Sequence, residues 1–186
     1  SGERLQALID LVNDLLNISR RELGTIRREI APVSVDAVIE NTRELLHGEM
    51  GKRGLRFDAC YEEGLPQIDI DRDEFTRVVT NLLSNAVKYN REGGTITVRA
   101  RSDGDSVFVS IGDNGIGMKP EDQAQLFRQF YRIKNDETRS IPGTGLGLSI
   151  VKQIVDSYHG NITVESVWQQ GTTFTLRLPV HFVETA

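Results

Sequence analysis

The sequence predicts an α+β fold: a two-layer sandwich in which a mixed sheet of about five strands carries helices on one face. Two observations lead to this fold class. Long segments with apolar residues at helical spacing alternate with short segments in which every second residue is apolar. Strands with a single apolar face need one covering layer, and amphipathic helices supply it. A further amphipathic helix is predicted ahead of this domain.

That first helix covers residues 3–23, where Leu5, Leu8 and Val12 recur at intervals of three and four. The pattern is typical of a helical bundle or a coiled-coil seam. Gly24 is the predicted end of the helix. The segment is either a terminal helix packed on its own domain or part of a longer helical element. Because the apolar stripe is in register from its first residues, the longer element is favoured.

A strand is predicted over residues 25–35, and a helix that Ser34 can cap follows over 35–51. The helix assignment depends on apolar residues at intervals of three and four. The segment 55–61, "LRFDACY", predicts a second strand because polar and apolar residues alternate along it.

Asp71 and Glu74 stand three residues apart, which is the spacing of a capping box. They introduce the clearest helix of the sequence, predicted over 72–90 with one broad apolar face. Two strands with clean alternation follow over 95–101 and 106–112. The intervening "SDGD" predicts a hairpin turn.

The region 112–145 is rich in loop-forming residues, and a short helix is predicted within it, around 121–131. Another helix starts directly after the glycines of "GTGLGL" and runs to about Ser157. The segments "NITVESV" and "TTFTLRLPV" close the chain as a hairpin around "WQQG".

The composition is that of an ordinary globular domain, with 38% hydrophobic and 26% charged residues. The net charge of −5 and the lack of a basic stripe argue against a nucleic-acid partner. A single cysteine, Cys60, fits a reducing cytoplasmic setting. No apolar run approaches the roughly 18 residues that span a bilayer, and no signal peptide is recognisable.

Three glycines at alternate positions, Gly143, Gly145 and Gly147, precede the last predicted helix. A dinucleotide-binding loop needs a further glycine where Leu148 stands, and it needs a buried strand where this chain has the charged "RIKNDETRS". No Walker-type sequence occurs in the chain. Taken alone, the glycines are either a flexible connector or a loop that approaches a ligand closely.

Two other segments bear on that choice. "GDNGIGM", at 112–118, is an ordinary turn or an acidic residue placed to accept hydrogen bonds from a base. Asn81, Asn85 and Lys88 lie within an arc of roughly 60° on the clearest helix. Such residues are usually a solvated face, but an amide oxygen can also ligate Mg²⁺ and a lysine can neutralise phosphate.

Together and in this order, these motifs resemble the catalytic ATP-binding domain of sensor histidine kinases, within the gyrase, chaperone and mismatch-repair ATPase superfamily. "NLLSNAVKYN" resembles the N box, "DNGIG" the first glycine box, "LFRQFYR" the F box and "GTGLGLSIVK" the second glycine box; "GTTFTLRLP" is similar to the last hairpin. The resemblance covers about residues 25–180. It implies a catalytic domain over 24–186, and residues 1–23 resemble the end of the second helix of the dimerisation and phosphotransfer hairpin.

The resemblance implies that the cofactors are ATP and Mg²⁺. Asn85 would ligate the metal that bridges the phosphates, and Asn81 would lie nearby in support. Lys88 would contact phosphate and Tyr89 would pack near the adenine. Asp113 would accept a hydrogen bond from the adenine amino group.

Residues 119–142 would form a mobile lid, with Arg132 and Arg139 as phosphate contacts. Asn85, Lys88 and Arg132 would serve the transfer step itself. Phe127 and Phe130, in the F box, are either ordinary packing residues or anchors of the lid. The other residues that the resemblance places at the nucleotide are Gly115, Ile116, Gly117, Gly143, Thr144, Gly145, Leu146, Gly147, Leu148 and Thr172.

None of the three histidines, His47, His159 and His181, stands in the sequence context of the family's phosphoacceptor. Structural or surface roles are therefore expected for them, and the chain should bind ATP without phosphorylating itself. The implied partners are the histidine-bearing hairpin of the same protein, a response regulator and a second copy in a homodimeric parent. Whether the parent is anchored to a membrane is left open.

Two other functions remain open at this stage. One is an ATPase or a serine/threonine kinase of the same superfamily. It is disfavoured because Asn81 stands near the position of the hydrolases' general-base glutamate, and an asparagine cannot act as a base. The other is a nucleotide-sensing or dimerisation module without transfer activity, which the intact motifs argue against.

Overall fold

The computed structural model describes residues 9, 12, 13, 16, 19 and 27–184. In chain order its elements are β1 (Ile30–Val33), α1 (Val35–Lys52), β2 (Arg56–Tyr61), β3 (Ile68–Asp71), α2 (Arg72–Lys88), β4 (Thr95–Ser102), β5 (Ser106–Asp113), α3 (Pro120–Gln123), α4 (Gly147–Ser157), β6 (Asn161–Val167) and β7 (Gly171–Pro179).

The main sheet has five strands in the order β2-β4-β5-β7-β6. Strands β2 and β4 run parallel, whereas the other neighbouring pairs are antiparallel. The predicted mixed five-stranded sheet is therefore confirmed. The register of the central pair sets Asp113, the last residue of β5, opposite Thr172 of β7.

The helices cover one face of this sheet, as the alternation of the strands predicts. On β4 the side chains of Ile96, Val98 and Ala100 are buried, whereas Arg99 and Arg101 on the opposite face are exposed. The buried faces of β5 and β7 continue this apolar layer, on which α2 and α4 pack. The core thus lies between one face of the sheet and the helices.

The first predicted strand is shorter than expected. Residues 25–35 were predicted to be extended, but the described strand is β1, and it does not join the main sheet. It pairs antiparallel with β3, a strand that the sequence pattern did not reveal. Both strands are only four residues long, which is too short for alternation to stand out.

The helix over 121–131 was predicted too long. Only Pro120–Gln123 is helical, and the following residues form successive four-residue turns. In two of them the Gln125 N–H donates to the Asp122 carbonyl and the Arg128 N–H to the Gln125 carbonyl. Phe130 then adopts a positive φ of 61° and donates its N–H to the carbonyl of Gly145. This tertiary hydrogen bond competes with continued helix.

The start of α2 confirms the predicted N-cap. The Asp71 carboxylate accepts hydrogen bonds from the N–H groups of Asp73 (2.9 Å) and Glu74 (3.1 Å). In a capping box, Glu74 would accept the N–H of Asp71 directly, but here the Tyr158 hydroxyl lies between the two groups. The Asp71 N–H donates to this hydroxyl at 3.1 Å, and the hydroxyl donates to Glu74 Oε2 at 2.6 Å. Ser34 does stand at the N-cap of α1, but its hydroxyl donates to Asp36 Oδ1 and caps no backbone N–H.

Within the predicted N-terminal helix, the described residues Ile9, Val12, Asn13, Leu16 and Ser19 are helical. The side chains of Ile9, Val12 and Leu16 are 44–48% exposed, so these three apolar residues are not buried. The rest of 1–23 and the predicted helix end at Gly24 lie outside the described residues. Among the described residues, no helix is long and apolar enough to cross a membrane.

Arg28 connects the beginning of the described domain to α2 and α4. Its guanidinium forms an ion pair with Glu74 at 3.0 Å, donates to Ser157 Oγ at 2.6 Å and lies 4.7 Å from the centre of the Tyr158 ring. Burial and the hydrogen bond to Glu74 raise the pKa of the Tyr158 hydroxyl, so it remains a neutral donor.

Replacing Tyr158 with Phe should lower the free energy of unfolding by about 1–3 kcal/mol, because the Asp71 N–H and the Glu74 carboxylate each lose a buried partner. Chemical denaturation would measure the loss. The matched control is Tyr131→Phe, which removes a hydroxyl that donates to Asp122 at 2.8 Å nearer the surface. Equal losses in the two variants would contradict a special role for the Tyr158 hydroxyl.

Candidate functional site

Residues of the predicted N box, first glycine box and lid line one cavity of about 590 Å³. It is bounded by the end of α2, the loop after β5 and the segment that precedes the glycine-rich turn. The lining residues are Arg53, Lys88, Asn90, Ile116, Glu137, Ser140, Ile141 and Pro142.

The polar face of α2 points toward this region. Among the described residues, Asn85 makes no side-chain hydrogen bond and Lys88 no ion pair, which leaves both groups free for a ligand. Asn81 donates from Nδ2 to the carbonyl of Arg77 at 3.0 Å. Its Oδ1 faces Gly147, where a Cβ atom would lie only 2.6 Å away. The N-terminus of α4 is therefore packed directly on the asparagine face of α2.

Asp113 ends the central strand β5 and is partly buried. Its Oδ1 accepts a hydrogen bond from the N–H of Gly115 at 2.9 Å. Burial raises the pKa of this carboxyl to about 6, and the N–H groups of Gly115 and Thr172 and the charge of Arg91 oppose the rise only in part. A carboxylate held in this way is a strong acceptor for a donor that enters the site.

The turn after Asp113 needs its glycines for close backbone approach. A Cβ atom at Gly115 would overlap the carbonyl oxygen of Tyr89, and one at Gly117 would overlap that of Val167. Gly117 also has a φ of +66°, which disfavours any side chain. Ile116, between them, donates its N–H to Tyr89 O at 3.0 Å and lines the cavity.

The second glycine-rich segment turns directly into α4. Gly145 has a φ of +78°, and a Cβ atom there would lie 2.9 Å from the Phe130 backbone. Thr144 Oγ1 accepts the N–H of Leu146 at 3.2 Å, and α4 begins at Gly147. The backbone N–H groups of the first turn of a helix lack intrahelical partners and attract anions.

Two residues of this segment contribute through packing. The side chain of Leu146 is fully buried, and that of Leu148 packs partly buried against the core. Gly143 is exposed, and the nearest atom to a Cβ added there is Arg132 Nε at 3.9 Å.

The two lid arginines differ in position. Arg132 lies near Tyr89. Burial raises the pKa of Tyr89, and the positive charge of Arg132 lowers it by a smaller amount. Arg132 also donates a hydrogen bond to the carbonyl of Ile141, which lines the cavity. Arg139 is 81% exposed and pairs with Asp136 at 3.5 Å. The structure therefore brings Arg132 to the site and leaves Arg139 on the surface.

Thr172 lies beside Asp113 in the strand register and is buried. Its hydroxyl is 2.8 Å from that of Ser166, which in turn accepts the N–H of Met118 at 2.8 Å. Thr172 thus fixes the base of the loop that carries Ile116 and Gly117.

Sequence reasoning missed two contributors. Arg53 lines the cavity but precedes all the motifs, and nothing in "GKRGL" marks it. Gln169, in the β6–β7 turn, donates its side chain to Glu137 at 2.9 Å and its N–H to Ile116 O at 2.6 Å. Only the tertiary fold brings these residues to the site.

The family model described as "Histidine kinase-, DNA gyrase B-, and HSP90-like ATPase" matches residues 70–181, more than half of the chain. The chain belongs to this family. The matched range contains the end of α2, the loop after β5 and residues 137–142, which line the cavity, as well as the glycine-rich start of α4.

Several of its relatives are named as histidine kinases. The chain is 34% identical over 181 residues to the circadian input-output histidine kinase CikA of Synechococcus elongatus, which covers 96% of this chain and 24% of CikA. It is 33% identical over 179 residues to the sensor histidine kinase WalK of Bacillus subtilis, at 94% and 29% coverage. The chain therefore spans about a quarter of the length of these relatives.

Solved structures agree in fold. Full-length ShkA in complex with AMPPNP has a TM-score of 0.81 at 28% identity, covering 96% of this chain and 37% of that one. The mycobacterial sensor histidine kinase MprB has a TM-score of 0.69 at 30% identity, covering 83% of this chain and all of that one. The domain is thus an ATP-binding domain of the histidine-kinase type.

The residues present fit ATP. Asp113 offers an acceptor carboxylate to an adenine amino group, Lys88 offers a cation at the cavity wall, and the start of α4 offers backbone donors. Glycines stand where a side chain would fill the space between these segments.

If Asp113 binds the adenine amino group, adenosine affinity should depend on its ionisation, because the carboxylate is a much stronger acceptor than the protonated carboxyl group. Since the pKa of the empty site is about 6, affinity should be constant above about pH 7 and should fall by up to about tenfold per pH unit below about pH 6. Adenosine is the probe because it has no phosphate to titrate. Calorimetry that showed constant affinity from about pH 5 to about pH 8 would contradict the assignment.

The raised pKa of Asp113 also determines how its contribution to the free energy of unfolding changes with pH. Because the folded state holds this proton more tightly than the unfolded chain, the contribution of Asp113 to the free energy of unfolding is greatest below its ordinary pKa of 3.8. It is lost as the pH rises through about 6. Asp113→Asn, which carries no charge, should therefore retain the circular dichroism of the fold. The same substitution should abolish nucleotide binding, because it removes the charged acceptor and places an amide in the site.

Gly147→Ala should weaken binding of an ATP analogue by about tenfold, because the added methyl group would displace the Asn81 side chain 2.6 Å away and shift the start of α4. Gly51→Ala is the control, since a Cβ atom there meets nothing within 4 Å in helix α1. Calorimetric titration of both variants measures the difference. Unchanged affinity in Gly147→Ala would show that this contact does not shape the site.

Proposed function

We propose that this chain is the ATP- and Mg²⁺-binding catalytic domain of a sensor histidine kinase, which transfers the γ-phosphoryl group of ATP to a protein histidine. The grouping of four features around one cavity carries the proposal. Lys88 lines the cavity, and Asn85 lies three residues before it on α2. Ile116, in the turn that follows Asp113, lines the cavity too, and Gly147 at the start of α4 packs against Asn81 of α2. The motif order, the family and the relatives named as sensor histidine kinases support it.

The residues of α2 fit a phosphate-bound Mg²⁺. Among the described residues, no group of three His, Cys, Asp or Glu side chains could hold a metal by itself. The unengaged amide oxygen of Asn85 would be the protein's ligand, and the phosphates would provide others, as is usual for Mg²⁺. When bound, the ion neutralises charge that develops on the transferring group and its leaving oxygen.

The chain's own residues position the nucleotide. Asp113 holds the adenine and Tyr89 packs near it. Lys88 and Arg132 place positive charge near the phosphates. The amides at the start of α4 orient the same oxygens, and this arrangement favours phosphoryl transfer, which needs positioning and charge stabilisation more than covalent chemistry.

Transfer is favoured over hydrolysis by the residue at position 81. Asn81 is engaged with the Arg77 carbonyl and faces Gly147, and an amide cannot take a proton from water. The acceptor is instead an imidazole nitrogen. It forms a new bond to the γ-phosphorus as the bond between the γ-phosphorus and the β–γ bridging oxygen breaks, and ADP is the leaving group.

The acceptor would come from outside the described domain. His159 and His181 are exposed on other parts of the surface, and His181 lies 3.1 Å from Asp69. We place the acceptor on the dimerisation hairpin of the same protein, with residues 1–23 as the end of its second helix, in a homodimeric parent. The phosphoryl group would pass on to an aspartate of a response regulator, with this domain in the cytoplasm.

The test is phosphohistidine formation in the full-length protein that contains this chain. Asn85→Ala should lower Mg²⁺-dependent phosphorylation by at least about 100-fold, because the ligand that places the metal is lost. Asn161→Ala is the control, since Asn161 is an exposed asparagine at the start of β6.

Three outcomes distinguish the possible functions. Loss in Asn85→Ala alone, with nucleotide hydrolysis remaining slow in every variant, supports the kinase. Normal phosphorylation in Asn85→Ala would reject the metal-ligand role. Rapid hydrolysis without any acceptor would instead assign the domain to the hydrolases of its family.

A further inference from the structure

Arg53 occupies an unusual position at the end of helix α2. It follows the last residue of α1, and its side chain, 27% exposed, reaches across to the C-terminus of α2. Its guanidinium donates to the carbonyls of Val87, Lys88 (3.1 Å) and Asn90 (2.7 Å). Nε also pairs with Glu92 at 3.0 Å.

Two of these carbonyls, those of Val87 and Lys88, belong to the last turn of α2, and Asn90 lies two residues beyond its end. The last C=O groups of a helix have no intrahelical donor, and a cation there is also favoured by the helix dipole. Arg53 satisfies several of them with one rigid fork of donors, which a lysine cannot do. Its own carbonyl accepts the N–H of Gly93 at 2.9 Å, so the backbone of Arg53 contacts the chain three residues beyond the Asn90 carbonyl that its side chain binds.

The segment that Arg53 holds, residues 87–90, connects α2 to the nucleotide cavity. The side chain of Lys88 lines the cavity. The carbonyl of Tyr89 accepts the N–H of Ile116 at 3.0 Å and is in close contact with Gly115. Asn90 is buried and donates to Thr95 O at 3.3 Å. A shift of this segment would therefore move both Lys88 and the loop that follows Asp113.

We infer that Arg53 is a positioning residue for nucleotide binding: it fixes the 87–90 segment, and through it Lys88 and the Ile116 loop. This inference rests on the proposed function. Arg53 lies outside the range that the family model matches and carries none of the motifs. Its four hydrogen-bonded groups all belong to the protein, so it acts through Lys88 and the loop and need not touch the nucleotide.

The test is calorimetric titration with a non-hydrolysable ATP analogue and Mg²⁺. Arg53→Ala should weaken binding by about tenfold, because several charge-assisted hydrogen bonds to the segment are lost. Arg53→Lys should give an intermediate loss. The matched control is Arg99→Ala: Arg99 also donates to two carbonyls, those of Asp58 and Val98, and to one carboxylate, but on the opposite face of the sheet.

A double-variant cycle separates positioning from general stability. If Arg53 acts through Lys88, the combined loss in Arg53→Ala/Lys88→Ala should be clearly smaller than the product of the two single losses. Losses that multiply would overturn the inference. So would a folded Arg53→Ala that binds like the wild type, and if the alanine variant does not fold, wild-type affinity in Arg53→Lys overturns it instead.

Titration of the wild type separates a failure of this inference from a failure of the proposed ATP-binding function. Tight binding by the wild type and by Arg53→Ala alike rejects the role of Arg53 and leaves the ATP-binding function intact. A wild-type chain that binds no analogue rejects both.

Discussion

The site depends on direct contacts between backbone atoms at the C-terminal end of β5, the middle strand of the main sheet. The end of α2, the turn after β5 and the β6–β7 turn touch there without intervening side chains. Gly115 lies against the Tyr89 carbonyl, Gly117 against Val167, and Gly171 against Asp113. A methyl group at any of these positions would separate two of the three segments, and the cavity could not keep its shape.

This contact also explains the electrostatics of the site. Because the segments meet so closely, Asp113 is held partly out of water with few donors to compensate, and its pKa rises. In the absence of nucleotide the ionised carboxylate therefore costs stability above about pH 6, whereas a bound donor would remove that cost. Groups whose ionisation is shifted in this way are concentrated at functional sites.

The contacts that hold helix α2 behind the site are polar. Arg28, Glu74 and Tyr158 form one hydrogen-bonded cluster between the entry of the chain, α2 and α4. Arg53 forms a second one at the other end of α2. Helix α2 is thus held at both ends by groups from distant parts of the chain, and the asparagine and lysine face between them keeps a fixed orientation toward the cavity.

Much of the fold could be predicted because its signals are local. Alternation predicted the strands of the main sheet, and the apolar face of residues 72–90 predicted α2 almost to its end. The Asp71 cap was predicted from residue types three positions apart. Features with long-range causes were missed or wrong: β3 depends on pairing with β1, and the helix over 121–131 is interrupted where Phe130 bonds to Gly145.

By itself, the sequence determined the chemical groups of the site, since amide, carboxylate, lysine and glycine motifs can be recognised from residue type and spacing. Their assembly was decided by the tertiary structure alone. It brings Arg132 to Tyr89 but leaves Arg139 exposed to solvent. It buries Leu146 in the core. It also brings Arg53 and Gln169 to the site from segments that contain no motif. The physical reason is that spacing along the chain sets only local geometry, whereas these contacts form between residues that only the packing of helices on the sheet makes neighbours.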